Sequence, residues 1–214
     1  MRKLTLFDKV ITEIDQAFRT VHTLAPTTER ANPAANINKQ IELSDSDKKL
    51  SASLMRINHA GEVSAQGLYR GQALTAKNDD VRDQMSRSAM EENDHLNWCE
   101  LRLNELDARK SYFGPVWYLG SFSIGAIAGL AGDKWSLGFV KETEDQVVKH
   151  LDSHIAKLPA KDTPSMAILQ QMRIDETHHA DVAVNAGAAK LPLPIRKIIM
   201  PLTSTVMTLI SAKI

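Results

Sequence analysis

Two short strings constrain this chain more than any other feature. Residues 90–100, MEENDHLNWCE, place Glu92 and His95 three apart, and residues 174–180, IDETHHA, place Glu176 and His179 three apart again. Both strings lie in long charged stretches without the two-residue alternation that marks strands. Residues three apart share one face of a helix. Each pair can therefore aim one carboxylate and one imidazole at a single point. One Glu-x-x-His in a Glu-rich helix is ordinary surface chemistry, but two in one chain call for a common cause.

Turn symmetry supplies it. In an antiparallel helical hairpin, residues at one height are equidistant from the turn. The midpoint of Glu62 and Glu92 is residue 77, in KNDD, and the midpoint of Glu144 and Glu176 is residue 160, in PAKDTP. Pro, Asn and Asp mark both turns independently of the glutamates. Each partner sits about 15 residues from its turn, roughly 22 Å along a helix. The two hairpins are offset by 82 residues at the first Glu and 84 at the second. Two helices carrying Glu-x-x-His and two more carrying one Glu each form the inward-facing ligand set of a dinuclear carboxylate bundle. The expected ligands are Glu62, Glu92, His95, Glu144, Glu176 and His179. Hard oxygen donors dominate, which suits iron or manganese, and the single cysteine, Cys99, argues against an iron–sulfur site. Asp175 and Glu91 precede the two ligand glutamates and are expected to orient the ligand histidines across the bundle. His150 is expected in the same outer layer. His154 and His178 read as core or surface groups, and His59, three before Glu62, has no matching second motif.

Helices are expected over about 47–77, 80–106, 134–158 and 164–189, with Thr163 as N-cap and Pro164 at the first helical position of the last. Residues 25–47, rich in Pro, Asn, Thr and Ser, read as a loop or flexible linker. Before it, MRKLTLFDKVITEIDQAF is broken by Asp8, Glu13 and Asp15. It reads as a short amphipathic helix rather than a signal or transit peptide. The expected division is an N-terminal helix and linker over 1–44 and one all-α domain over 45–214. Lys and Arg number 26, as do Asp and Glu, so formal net charge is zero. Nucleic-acid binding, which needs a basic surface, is not expected.

Residues 111–132 hold no charge at all. As a helix they would just reach across a bilayer. A single crossing there would separate Glu62 and Glu92 from Glu144 and Glu176 and cut the ligand set in half. Pro115 and five glycines also weaken a spanning helix. The segment reads instead as the long crossover between hairpins, lying on or dipping into a membrane, with a buried crossover as the alternative. Tyr112, Trp117 and Tyr118 suit an interface. After Asp181 no acidic residue follows, and Lys190, Arg196, Lys197 and Lys213 remain among apolar residues. Such a tail binds an anionic membrane face or packs as a helix on the bundle or on a second subunit. An apolar surface beside an oxygen-activating metal pair points to a lipid-soluble substrate.

Four stretches carry a resemblance to a known family. LMRINHAGEVSAQGLYRGQAL (54–74), EENDHL (91–96), GLAGDKWSLGFVKETEDQVVKHL (129–151) and DETHHADVAVNAGA (175–188) resemble the demethoxyubiquinone hydroxylases. The likeness runs from about residue 45 to the C-terminus. Its metal-ligand positions fall on Glu62, Glu92, His95, Glu144, Glu176 and His179, with Glu142 passed over in KETED. The resemblance implies a ferritin-like four-helix bundle of two hairpins, with an apolar crossover and a C-terminal helix added. It implies two Fe ions per chain and hydroxylation of a polyprenyl demethoxyubiquinol by O2 in ubiquinone biosynthesis. It also implies a peripheral protein on the membrane lipid surface, at the cytoplasmic face of a bacterial inner membrane, with other ubiquinone-biosynthesis enzymes as possible company. The contrasting expectations are a ferritin-type iron- or peroxide-handling protein, a manganese catalase-like enzyme, and a membrane-associated helical scaffold with an incidental metal site.

Overall fold

The computed structural model describes residues 5–28, 30–37 and 42–213. Among the described residues seven α-helices run in the order α1 (Leu6–His22), α2 (Asp45–Thr75), α3 (Asp79–Glu105), α4 (Gly114–Ala131), α5 (Asp133–Lys157), α6 (Thr163–Asn185) and α7 (Met200–Ser211), with a π-helical turn at Ile195–Ile199 leading into α7. No strand occurs among the described residues. The architecture is an all-α, ferritin-like bundle in which α2–α3 and α5–α6 are the two hairpins.

Short polar side chains set the helix starts. Ser44 accepts from the Asp47 amide, and Asn78 accepts from the Asp80 amide, satisfying backbone donors that a helix leaves open. At α6 the cap differs from expectation. Asp162, not Thr163, is the N-cap, and it accepts from the Ser165 amide at 3.1 Å. Arg102 explains the choice, because its Nη2 donates to the same buried carboxylate at 2.8 Å. Helix α6 also ends earlier than the expected 189. Gly187 takes φ +96°, its amide donates to Val184 O, and the Ala188 amide donates to Ala183 O. That paired closure is a Schellman end, which favours glycine at the left-handed position.

The charge-free helix α4 carries the chain back along the bundle. It runs parallel to α2, because Gly67 lies against Tyr118 and Phe122, Gly71 against Phe122 and Ala126, and Gly129 against Gln72 and Thr75. A Cβ on Gly71 would overlap the Phe122 carbonyl oxygen, and one on Gly125 would overlap the Leu68 carbonyl oxygen. The glycines that seemed to weaken this segment instead let two helix backbones touch. Pro115 sits in the first turn, where its missing N–H leaves no bond unmade. Helix α5 then begins beside the first hairpin's turn. The Asp133 carboxylate accepts from the Lys77 amide at 3.0 Å and the Asn78 amide at 2.9 Å. The second hairpin's turn therefore lies at the opposite end, where Arg102 of α3 meets Asp162.

With turns at opposite ends, residues about 15 from either turn meet at mid-height. The apolar core is divided there. On one side of the mid-height layer lie Tyr69, Ala73, Met85, Ala89, Leu137, Val140 and Ala183. On the other lie Met55, Trp98, Cys99, Leu103, Leu151, Leu169 and Met172. Each of the four bundle helices contributes to both clusters, and its ligand candidate falls between them.

Three helices flank α2 outside the bundle, and each leaves an apolar stripe exposed. On α1 these are Phe7, Val10, Ile11, Ile14 and Phe18; on α4, Val116, Leu119, Ile127 and Leu130; on α7, Leu202, Val206 and Leu209. Helix α1 is held by a bidentate pair between Arg70 and Glu13, and α7 by Ser53 and Arg56, which donate to Ala212 O. Residues 25–28 and 30–37 differ from the flexible linker expected over 25–47, of which 29 and 38–41 lie outside the described residues. Ala25 and Ala34 are buried, and Asn97 Nδ2 donates to Ala25 O at 2.9 Å. Proline and asparagine content does not stop a segment from being tied down by side chains of the bundle.

The glycine contacts predict opposite outcomes for two substitutions on one helix. Gly125→Ala should destabilise the chain by about 2–4 kcal/mol, because backbone cannot yield as a side chain can. Nothing lies near a Cβ at Gly120, so Gly120→Ala should be neutral or stabilise by up to about 1 kcal/mol through helix propensity. Denaturant unfolding of the two variants and the native chain makes the comparison.

Candidate metal centre

Four helices bring six side chains to the mid-height layer. Glu62 comes from α2, Glu92 and His95 from α3, Glu144 from α5, and Glu176 and His179 from α6. None is more than 6% exposed. Isolated carboxylates at such depth would be very unfavourable without cations nearby.

The oxygens are distributed around two imidazoles. His95 Nδ1 lies 2.8 Å from Glu92 Oε2, 3.2 Å from Glu176 Oε1 and 3.5 Å from Glu62 Oε2. His179 Nδ1 lies 3.2 Å from Glu92 Oε1 and 3.2 Å from Glu176 Oε2. Glu92 and Glu176 thus each present one oxygen to one histidine and the other oxygen to its counterpart. Glu144 faces the same layer and accepts a hydrogen bond from the Tyr69 hydroxyl.

Proximity here is not the same as hydrogen bonding. Both oxygens of Glu92, Glu62 Oε2 and His95 Nδ1 are buried with no hydrogen bond of acceptable geometry, despite their short separations. The atoms surround a point instead of pointing at one another. Glu62, Glu92, His95 and Glu176 can each offer one atom such that all four lie within 4.8 Å of one another. This donor set fits a metal ion, and its oxygen-rich chemistry fits the hard or borderline first-row ions.

Outer contacts set the tautomers. His95 Nε2 lies 2.9 Å from Asp175 Oδ2, and His179 Nε2 lies 2.9 Å from Glu91 Oε2. Each carboxylate accepts from Nε2–H and leaves Nδ1 directed inward, the usual outer arrangement of a metal-bound histidine. His150 lies elsewhere. Its ring packs against His154, and its Nε2 is 3.5 Å from Ser204 Oγ on α7. His154 is bonded through Nδ1 to Asn58, His178 is exposed, and His59 is buried 3.7 Å from Glu100. Glu142 pairs with Arg196 at 2.5 Å, which ties down the residue that leads into α7.

Two contributors had no motif. Tyr69 is seven residues after Glu62, two helical turns along the same face, and that periodicity could have identified it. Arg30 could not have been found this way, because it lies outside any periodic element. Its Nη1 donates to Asp175 Oδ2 at 2.7 Å, and its Nε donates to Asp94 Oδ2 at 2.7 Å.

Burial and charge divide the six groups. Burial pushes the Glu62 and Glu144 carboxyls well above their ordinary range, and the neighbouring carboxylates Glu92 and Glu176 push the same way. For His95, burial opposes the charge, but the Glu92 charge, the hydrogen bond to Asp175 and the nearby oxygens of Glu176 and Glu62 win, and the ring stays protonated well above its usual range. His179 is also raised, where hydrogen bonds to Glu176 and Glu91 and the nearby Glu92 carboxylate outweigh burial. Glu92 is lowered: the two imidazoles outweigh a burial effect that alone would raise it. Glu91 is lowered chiefly by its bond to His179, and Asp175 is lowered by His95 against its own burial. The metal-free site therefore balances its charge with protons.

Metal must displace those protons, so the direction of the pH effect is set. Raised pKa values on Glu62, Glu144, His95 and His179 mean that these groups hold their protons to higher pH than usual and release them on loading. Metal affinity should rise with pH across the range in which these groups titrate. Loading apo protein with Fe(II), without oxygen, in a weakly buffered indicator dye should show proton release at pH 7 and less at higher pH. Absence of release at pH 7 would contradict the assigned protonation.

Comparisons with known proteins were made for the whole chain. The sequence model of the family described as ubiquinone biosynthesis protein COQ7 matches residues 49–211. A 3-demethoxyubiquinol 3-hydroxylase from Nitrosococcus oceani is 55% identical over 207 residues, covering 97% of this chain and 96% of that protein. Proteins of the same name from Chromohalobacter salexigens and Acinetobacter baylyi are each 52% identical, covering 97% of this chain and 96% and 97% of their own lengths.

Proposed function

The chain belongs to the ubiquinone biosynthesis protein COQ7 family, and from that premise we propose that it hydroxylates the ring of a polyprenyl demethoxyubiquinol with O2 at a centre of two iron ions. The hydroxylase role follows from family membership and from relatives named 3-demethoxyubiquinol 3-hydroxylase over nearly full length. The number and identity of the metal ions rest on the donor arrangement. One observation carries that reading. Glu92 and Glu176 each divide their two oxygens between His95 and His179. Two carboxylates shared in this way, with Glu62 beside His95 and Glu144 in the same layer, would suit holding two ions, to which Glu92 and Glu176 would both contribute oxygens. When bound, such a pair supplies the activation of O2 that ring hydroxylation requires.

The chain's own residues perform the remaining tasks. Asp175 and Glu91 accept from the Nε2 atoms and keep both Nδ1 lone pairs turned inward. Tyr69 restrains Glu144 through its hydroxyl, and burial keeps that phenol protonated well above its usual range. The apolar clusters on either side of the ligand layer exclude bulk water. A dry surround protects an oxidising centre from side reactions.

The exposed stripes on α1, α4 and α7 support a second part of the reading. Gly114–Ala131 is long and apolar enough to cross a membrane, but it packs along α2. We place these stripes on a lipid surface, as a peripheral attachment at the cytoplasmic face of a bacterial inner membrane. A polyprenyl substrate resides in that phase, and other enzymes of the pathway are natural neighbours there.

A product assay tests the chemistry. Protein loaded with Fe(II) anaerobically, then given a demethoxyquinol in detergent, a reductant and labelled O2, should yield a quinol carrying one labelled ring oxygen. Glu62→Ala, Glu144→Ala or His179→Ala should abolish that product while circular dichroism keeps most of the helix signal. Full activity in Glu144→Ala would refute its place among the ligands. Attachment is tested separately by flotation with anionic lipid vesicles. Leu119→Asp with Ile127→Asp should reduce the bound fraction at least severalfold, since burying each charge in apolar lipid costs about 2–3 kcal/mol. Unchanged flotation would remove α4 from the contact.

A further inference from the structure

The N-terminal loop reaches the metal-centre layer through one side chain. Arg30 spans two acidic residues on different helices. Its Nε donates to Asp94 Oδ2 on α3 at 2.7 Å, and its Nη1 donates to Asp175 Oδ2 on α6 at 2.7 Å. Its Nη2 also reaches the Glu91 carbonyl oxygen at 3.3 Å. The same Asp175 oxygen lies 2.9 Å from His95 Nε2. A second path runs through an aromatic ring. The guanidinium lies 5.2 Å from the Trp98 ring centroid, and that ring lies 5.4 Å from the His95 ring. Both paths end on one imidazole.

The anchor is built to hold. Asp94 is fully buried, and it receives Thr28 N at 2.7 Å and Thr28 Oγ1 at 2.5 Å in addition to Arg30. A buried carboxylate with three donors from one loop fixes that loop firmly. His179 has no equivalent. Its carboxylate, Glu91, is 39% exposed and has no cation in salt-bridge contact among the described residues apart from His179 itself. The two halves of the ligand layer are thus supported unequally.

We propose that Arg30 is a positioning residue of the metal centre, fixing His95 through Asp175 and Trp98, so that the loop segment carrying Thr28 and Arg30 is part of the site. This rests on the metal reading given above. Arg30 touches no ligand directly. Its fork holds Asp175 at the position where His95 Nε2 can donate, which keeps His95 Nδ1 pointed at Glu92, Glu176 and Glu62. Without the fork, Asp175 is free to turn toward solvent or toward Gln171, which already donates to its other oxygen. Outer partners of metal-bound histidines commonly contribute about 10–100-fold to affinity.

The test is a double-variant cycle read by metal binding. Apo forms of the native full-length chain, Arg30→Gln, Asp175→Asn and the double variant are titrated anaerobically with Co(II), followed by visible absorption, and with Fe(II). Arg70→Gln serves as the control, because it also releases an N-terminal segment by breaking the pair with Glu13. Arg30→Gln is expected to weaken one of the metal equivalents about 10–100-fold and to shift its Co(II) bands. Asp175→Asn should do the same, and the double variant should lose little more than either single one, since both act on the same link. Arg70→Gln should bind as the native chain does. Native isotherms and spectra in Arg30→Gln, additive losses in the double variant, or an equal loss in Arg70→Gln would each overturn the proposal. A native chain that takes up no metal would overturn the metal reading, and this inference with it.

Discussion

Four glutamates buried at mid-height constrain everything else in this chain. Carboxylates in an apolar bundle are tolerable only beside compensating positive charge. That compensation comes from two imidazoles that hold their protons above the usual range and from carboxyls at Glu62 and Glu144 that are harder to ionise than usual. The layer's height follows from helix length. The first hairpin turns at one end of the bundle and the second at the other, so both ligand pairs must lie half a bundle from their own turn. That requirement separates the core into two apolar clusters, each built from all four helices. Both clusters are buried, and together they enclose the polar layer.

The crossover follows from the same geometry. After α3 descends, the chain must return to the opposite end before α5 can run beside it. Helix α4 makes that return along α2, and glycines on both helices bring the backbones into contact. Asp133 then caps the approach by accepting from two amides of the first turn. The return is helical and wholly uncharged, and its outward stripe remains open.

Much of this was readable before any coordinates. The paired Glu-x-x-His spacing, the turn midpoints and the charge-free crossover define the bundle, because each reflects a local rule of helix geometry. Asp175 and Glu91 were legible for a similar reason: they sit one residue from a ligand and can reach across the bundle. What was not legible depended on tertiary contact. Arg30 lies in a segment whose composition suggested a flexible linker, and only the folded chain brings it to Asp94 and Asp175. The cap on α6 moved to Asp162 because Arg102, sixty residues earlier, holds that carboxylate. His150 was placed by sequence proximity to Glu144, but a helix face decides, and its face meets Ser204 of α7. The glycines of α4 were visible, yet their purpose needed the facing glycines of α2.

Helix α2 links the enclosed layer to the outer surface. Its inner face carries Glu62 and Tyr69, and its outer face carries Gly67 and Gly71 against α4. Packed helices lie about 8–10 Å apart between axes, and glycine contacts favour the shorter end. The exposed stripe of α4 is therefore about two helix thicknesses from the ligands. On the proposed reading, that spacing suits an amphipathic quinol. Its ring needs to pass only that far to meet the metal centre, while its isoprenoid tail stays in lipid beside α1, α4 and α7. A water-soluble substrate would gain nothing from three apolar stripes around a helix that borders the site. The same thinness explains why small residues are required there. A bulky contact between α2 and α4 would move the lipid-facing surface away from the chemistry it serves.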